Sequence, residues 1–131
     1  MIVLDNSALI AALIDPGPAG QSCAARIAGA SRIAAPAILD AEVVHALRGL
    51  LRGGKIDAPT ADHAVAALEM LPVRRYPLPP LVARIWELKA NATAYDAAYV
   101  ALAEHLGVPL VTGDAKFSGI PRIRCSVETI R

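Results

Sequence analysis

The chain has 131 residues, a formal net charge of +1, 55% hydrophobic residues and two cysteines. That length is read as one domain, residues 1–131, able to bury about two-thirds of the surface its unfolded chain exposes without a disulfide or metal staple. The near-neutral balance by itself predicts no polyanion partner. No apolar run approaches the ~20 residues of a membrane helix.

The mean hydropathy of +0.45 comes from alanine and aliphatic residues, with aromatics only 4% of the chain. The longest apolar stretch, Ala8–Ile14, has no basic segment ahead of it and is not read as a signal peptide. The expectation is a cytoplasmic protein with no membrane contact. Cys23 and Cys125 have neither metal-ligand nor redox spacing, and are expected as free, small apolar residues.

The chain opens with Ile2–Leu4, a buried strand ended by Asp5, after which Asn6 or Ser7 can cap a helix over about residues 8–14. Asp15–Gly20 reads as a loop, Gln21–Ala30 as a helix and Arg32–Ala35 as a second strand. Pro36 suits the first turn of a helix over about 36–52. Its apolar stripe runs through Leu39, Val43, Ala46, Leu47 and Leu50, and Gly53 and Gly54 stop it. Thr60 opens a helix to about Met70, and Val73–Tyr76 is a third strand. A helix over about 81–89 is expected to turn Val82, Ile85 and Trp86 to the core. Ala94–Leu106 is a helix ended by Gly107, Pro109–Thr112 a fourth strand, and Ile123–Val127 a weak fifth. Strands alternating with helices predict an α/β fold: a parallel sheet with helices on both faces.

Against that frame four acids stand out: Asp5, Glu42, Asp96 and Asp114. Asp5 and Asp114 follow strands, where α/β proteins build their sites at the carboxyl edge of the sheet. Helical spacing puts Glu42 beside Ile38, Leu39 and Ala46, at the border of an apolar face, so it is half-buried and requires a partner. Asp40, two residues earlier, reads as a surface acid. Asp96 also fits a capping pattern with Thr93, and Asp114 a turn aspartate. Gathered carboxylates repel one another, and a hard divalent cation removes that penalty. Oxygen ligands without nearby Cys or His favour Mg²⁺ or Mn²⁺ over Zn²⁺. Such ions serve phosphoryl chemistry. Ser7 and Thr112 can hydrogen-bond to the carboxylates, and His45 lies three residues after Glu42. The three histidines have no triad or HExxH spacing, and no Gly-rich phosphate loop is present. Arg48, Arg52 and Lys55, with Arg74 and Arg75, would suit a phosphate-bearing substrate; helix-end charges account for the first three equally well.

MIVLDNSALIAAL, the Pro36–Arg48 segment with Glu42, and TAYDAAYVALAEHLGVPLVTGDAKF, in this order, resemble a bacterial PIN-domain protein, closest to the VapC toxins of type II toxin–antitoxin systems. The resemblance covers nearly the whole chain. It implies a three-layer α/β/α fold and a Mg²⁺- or Mn²⁺-dependent endoribonuclease acting on tRNA or rRNA. It implies that Asp5, Glu42, Asp96 and Asp114 form the catalytic metal site. It further implies a homodimer held by a VapB antitoxin, as a heterotetramer or larger assembly. Lys116 matches the family's basic follower and, with Arg48 and Arg52, is a candidate RNA contact. His45 departs from the family, which often has Asn there. The competing reading is a PIN-like module that binds RNA or protein without cutting. A metal-dependent phosphatase is disfavoured because the D-x-S start lacks the second aspartate of D-x-D.

Overall fold

The computed structural model describes residues 1–130. Five strands form one sheet: β1 (Ile2–Leu4), β2 (Ile33–Pro36), β3 (Val73–Tyr76), β4 (Leu110–Thr112) and β5 (Val127–Thr129). Their order is β3-β2-β1-β4-β5 and every pairing is parallel. Six α-helices join them: α1 (Asn6–Ile14), α2 (Pro18–Ala28), α3 (Leu39–Arg52), α4 (Ala58–Met70), α5 (Val82–Glu87) and α6 (Ala94–Leu106). Helices α1 to α4 pack on one another, while α5 packs on α6, which lies across β1, β2 and β4. The result is a three-layer α/β/α fold.

The sheet centre is uniformly apolar, as a strand covered on both faces must be. Ile2, Val3, Leu4, Ala34, Ala35, Leu110 and Val111 are all buried. Helix α6 is equally dry: Ala97 to Ala103 are buried without a break. Its small side chains let the sheet approach closely, so its interior reads as buried helix, not as an amphipathic face. Thr93 caps its start, accepting from the Asp96 N–H at 3.1 Å, and Gly107, with φ of 67°, ends it in the left-handed conformation.

Several boundaries differ from the sequence expectation. Pro36 is the last residue of β2, in register with Tyr76, and not the start of a helix. At a strand end its missing N–H breaks no further pairing, and α3 begins at Leu39. Helix α2 starts earlier than expected because Pro18 occupies its first turn. The fifth strand is displaced to Val127–Thr129. Val82 and Trp86 do not face the core; they are 56% and 67% exposed. A 3-10 turn over Pro79–Leu81 precedes α5 and sets a different face inward, so that Leu81 and Leu88 are buried, with Ile85 packed beside them. Cys23 is buried, Cys125 half-buried, and both are free. Among the described residues no helix is long and apolar enough to cross a membrane.

Two charged clamps pin the layers at their periphery. Arg75 in β3 makes a bidentate pair with Asp40 of α3, at 2.9 and 2.7 Å. Asp40 is therefore a bound ligand of the sheet edge and not a plain surface acid, and the guanidinium holds its carboxyl below the usual range. On the opposite layer Arg84 of α5 grips Glu104 of α6, which also accepts from the Arg124 backbone N–H.

The α1–α2 corner has no slack. Gly20 is buried where a methyl group would overlap the Asp15 carbonyl oxygen and stand 2.7 Å from that of Ala11. Gly20→Ala is expected to lower unfolding free energy by about 1–3 kcal/mol or more, read as a reduced urea midpoint with an unchanged slope.

Candidate active site

The strand order reverses direction between β1 and β4, and ligand sites in open parallel sheets lie at the carboxyl ends of strands flanking such a point. Asp5 leaves β1 there. Its backbone N–H donates to the Val111 carbonyl at 2.9 Å, which extends the β1–β4 ladder by one step. Asp5 occupies the N-cap position of α1 with extended backbone, yet its side chain makes no capping bond. Asn6 and Ser7, expected as caps, lie inside the first turn.

The Asp5 side chain is committed elsewhere. Its Oδ2 accepts from the Ser7 hydroxyl at 2.6 Å and from the Thr112 hydroxyl at 2.9 Å. Those hydroxyl oxygens in turn accept from the backbone N–H groups of Gly113, at 2.9 Å, and Asp114, at 3.0 Å. A two-step relay thus ties the loop after β4 to the carboxylate after β1. Asp5 is only 2% exposed, and no cationic side chain pairs with it among the described residues. Burial raises its pKa; the two hydroxyls oppose the rise, and the Asp96 charge adds to it.

Glu42 enters from the first turn of α3, half-buried. Its Oε1 accepts from the Tyr99 hydroxyl at 2.6 Å. Burial raises its pKa, the Tyr99 bond lowers it, and the charges of Asp5 and Asp96 raise it again. Tyr99 is fully buried and its own pKa is pushed up, first by burial and then by Glu42. This tyrosine is the site residue that the sequence reading missed. The signal was present: Tyr99 follows Asp96 by three residues, on the same face of α6.

Asp96, in the first turn of α6, and Asp114, in the loop after β4, share one counter-ion. Lys116 Nζ lies 3.0 Å from Asp96 Oδ2 and 3.2 Å from Asp114 Oδ2. Asp114 also caps the short 3-10 turn over Ala115–Gly119, accepting from the Lys116 N–H at 3.0 Å. That backbone bond, and then the ammonium, hold its carboxyl below the usual range. The Lys116 ammonium is held charged chiefly by Asp96.

Asp5, Glu42 and Asp96 therefore act on one another electrostatically, with Asp114 joined to them through Lys116. Their oxygens match a hard cation in kind. In arrangement they form no closed cage: no three Cys, His, Asp or Glu side chains are gathered tightly enough to hold a metal ion, among the described residues. Asp96 and Asp114 point at an ammonium instead. His45 is exposed and lines a cavity of about 540 Å³ beside Glu42, together with Asn6, Ile38 and Tyr95. It makes no hydrogen bond to any of the four acids. Arg48 and Arg52 stand exposed further along α3, about 9 and 15 Å from Glu42 along the axis at 1.5 Å per residue. The fold does not bring them to the carboxylates.

A five-stranded parallel sheet in this order, with acids at its switch point, defines a class, and comparison with known proteins agrees. The PIN domain model matches residues 2–123, and the chain belongs to the PIN-domain family. Within it, the chain belongs among the VapC ribonucleases. It is 40% identical to a VapC ribonuclease of Mycobacterium bovis over 99% of this chain and 98% of that one. It is 42% identical to ribonuclease VapC12 of Mycobacterium tuberculosis over 90% of each. Among solved structures, PAE2754 of Pyrobaculum aerophilum superposes with a TM-score of 0.71 at 26% identity, covering 96% of this chain and 81% of that one. VapC20 of Mycobacterium tuberculosis, described as a sarcin-ricin loop cleaving toxin, superposes with a TM-score of 0.70 at 18% identity, covering 92% and 95%; at that identity the likeness is one of fold.

Ionising the buried acids costs the fold free energy. Asp5 and Glu42 have folded pKa values above their ordinary 3.8 and 4.5. Through the window between ordinary and raised values the folded chain holds more protons than the unfolded one, so stability falls as pH rises. Asp40, Glu104 and Asp114 are lowered and work in the opposite sense: their contribution is present above the ordinary pKa and lost as pH falls through the folded one. Asp5→Asn removes one of the two raised acids. In urea melts without divalent cations, the unfolding free energy of the variant minus that of the wild type is expected to increase from about pH 4 to about pH 7. Tyr99→Phe removes the donor that favours charged Glu42. It should raise the Glu42 pKa further, as followed by carboxyl NMR, and lower stability by about 1–2 kcal/mol.

Proposed function

We propose that the chain is a Mg²⁺- or Mn²⁺-dependent endoribonuclease, the toxin of a VapBC-type pair, with Asp5, Glu42, Asp96 and Asp114 as its metal-binding acids. What supports this most is Asp5: a carboxylate 2% exposed, at the switch point of the sheet, with no cationic partner among the described residues and a pKa raised by burial and by Asp96. A buried unpaired charge is expensive, and a fold that keeps one beside two further carboxylates suits a divalent cation. When bound, that ion would polarise a phosphoryl oxygen and acidify a water molecule.

The remaining work falls to the chain. Ser7 and Thr112 fix the Asp5 carboxylate by occupying Oδ2, which leaves Oδ1 without a side-chain donor. Tyr99 similarly fixes Glu42 through Oε1. Lys116 offsets half of the paired charge of Asp96 and Asp114, and its exposed ammonium is free to swing to a substrate phosphate when a cation takes over that duty. RNA, and within it single-stranded or looped segments of tRNA or rRNA, is the substrate class, because there the backbone is accessible. The relatives are named ribonucleases, and several solved neighbours are toxin–antitoxin complexes; a VapB-type antitoxin, a homodimeric toxin and a cytoplasmic setting go with this reading.

Two observations favour a non-cleaving module: Lys116 already serves as counter-ion to Asp96 and Asp114, and among the described residues the acids are not closed into a cage. The two readings separate in one pair of measurements on antitoxin-free protein. Under the nuclease reading, Mn²⁺ or Mg²⁺ raises the melting temperature of the wild type, by about 2.7 kcal/mol of added stability at a hundred-fold excess over Kd, and Asp5→Asn or Asp96→Asn loses most of that rise. The same substitutions abolish cleavage of total tRNA and rRNA, a loss beyond the roughly 10–100-fold typical of groups that only support a metal ligand. Folded wild type that leaves both RNA pools intact with Mn²⁺ present excludes the nuclease reading.

A further inference from the structure

The cavity beside Glu42 is not accounted for by the four acids. At about 540 Å³ it lies within the roughly 300–1,000 Å³ range of small-ligand sites. Ile38 and Ala41 supply apolar lining, and Tyr95, Asn6 and His45 line it too. Tyr95 is 62% exposed on the first turn of α6, an aromatic ring left in solvent although every residue from Ala97 to Ala103 of that helix is buried. Neither the Asn6 amide nor the His45 imidazole makes a hydrogen bond among the described residues, so a donor–acceptor amide and a ring nitrogen pair stand ready for a ligand. Glu42 belongs to both the cavity and the acidic cluster.

We propose that this cavity is a nucleobase subsite, in which one unstacked base of the RNA lies on the Tyr95 ring and turns its edge to Asn6 and His45. The inference rests on the nuclease reading above and names the substrate feature that reading lacks. A phosphodiester held at the carboxylates carries a flanking base within one nucleotide of them, and the shared Glu42 wall sets the cavity at that reach. The chemistry is that of single-strand recognition: a π-face for stacking, with polar groups for the Watson–Crick or Hoogsteen edge. Asn6 and Tyr95 each precede or follow a carboxylate directly, so base and phosphate positions are set by the same two helix starts. His45 then gains a role as a base contact, one turn along α3 from Glu42.

The test is binding of fluorescein-labelled single-stranded RNA hexamers (A6, C6 and U6, and an abasic hexamer of the same backbone), followed by anisotropy with Ca²⁺ present to screen the carboxylates. For the tightest-bound hexamer, Tyr95→Ala is expected to raise Kd roughly 5- to 100-fold. Tyr95→Phe, which keeps the ring, should stay close to wild type, and the abasic hexamer should bind wild type and Tyr95→Ala alike. Asn6→Ala and His45→Ala should change the order of preference among A6, C6 and U6. Tyr95 is solvent-exposed, so circular dichroism of Tyr95→Ala is expected to match wild type; if it does not, the comparison of wild type on abasic and base-bearing hexamers decides alone. Equal binding of those two by wild type, or unchanged binding by folded Tyr95→Ala, overturns the subsite. If the wild type still cuts RNA in that case, only the subsite falls; if it cuts none, the nuclease reading falls with it.

Discussion

The parallel pairing of β1 with β4 is the constraint on which the rest of the site depends. Those strands are adjacent in space and more than a hundred residues apart in the chain, and their register places Leu4 opposite Val111. One residue beyond that pair, the Asp5 N–H still bonds to Val111, and one residue beyond Val111 the Thr112 hydroxyl meets the Asp5 carboxylate. A slip of one residue would exchange the faces of every side chain on the strand and send that carboxylate into the apolar layer. Register, and not any local turn, sets the first acid.

The other acids inherit their positions from helix starts. Glu42 lies in the first turn of α3 and Asp96 in the first turn of α6, both just past the same edge of the sheet. A carboxylate there is favoured by the partial positive charge of the helix N-terminus, which offsets part of the cost of crowding. The structure adds three hydroxyls as direct donors: Ser7 and Thr112 on Asp5, and Tyr99 on Glu42. They stabilise charge without supplying any, so the acidic character of the site is retained. Among the described residues only Lys116 brings a positive charge, and its side chain is more exposed than either carboxylate it pairs with.

How much of this was legible before folding depends on whether the information was local. The strand Ile2–Leu4, the helix Ala94–Leu106 with its Thr93 cap and Gly107 stop, and the strand Val73–Tyr76 each carry their own signals, and the structure has them at those residues. The half-burial of Glu42 followed from periodicity alone. Pro36 ends a strand where a helix start was equally open to it, because a proline suits both and nothing within a few residues separates the two. Trp86 and Val82 face outward because the Pro79–Leu81 turn rotates α5, and a six-residue helix has too few positions to fix its buried face by pattern. The Tyr99–Glu42 bond, the Lys116 pairs and the Arg75–Asp40 clamp span 57, 20, 2 and 35 residues of chain. Three of these four separations exceed any helical or turn period, so only tertiary packing reveals them.

The two outer strands leave one consequence for how this molecule meets other proteins. β3 carries Arg74 and Arg75 and runs directly into Pro77, Pro79 and Pro80, while β5 is three residues long and its Glu128 is held by Arg26 of α2. Charge, proline and brevity are the devices by which sheets discourage a further strand from adding to their margins. Margins of this kind, among the described residues, are poor templates for lateral strand exchange and disfavour the ribbon-like self-association that open margins invite.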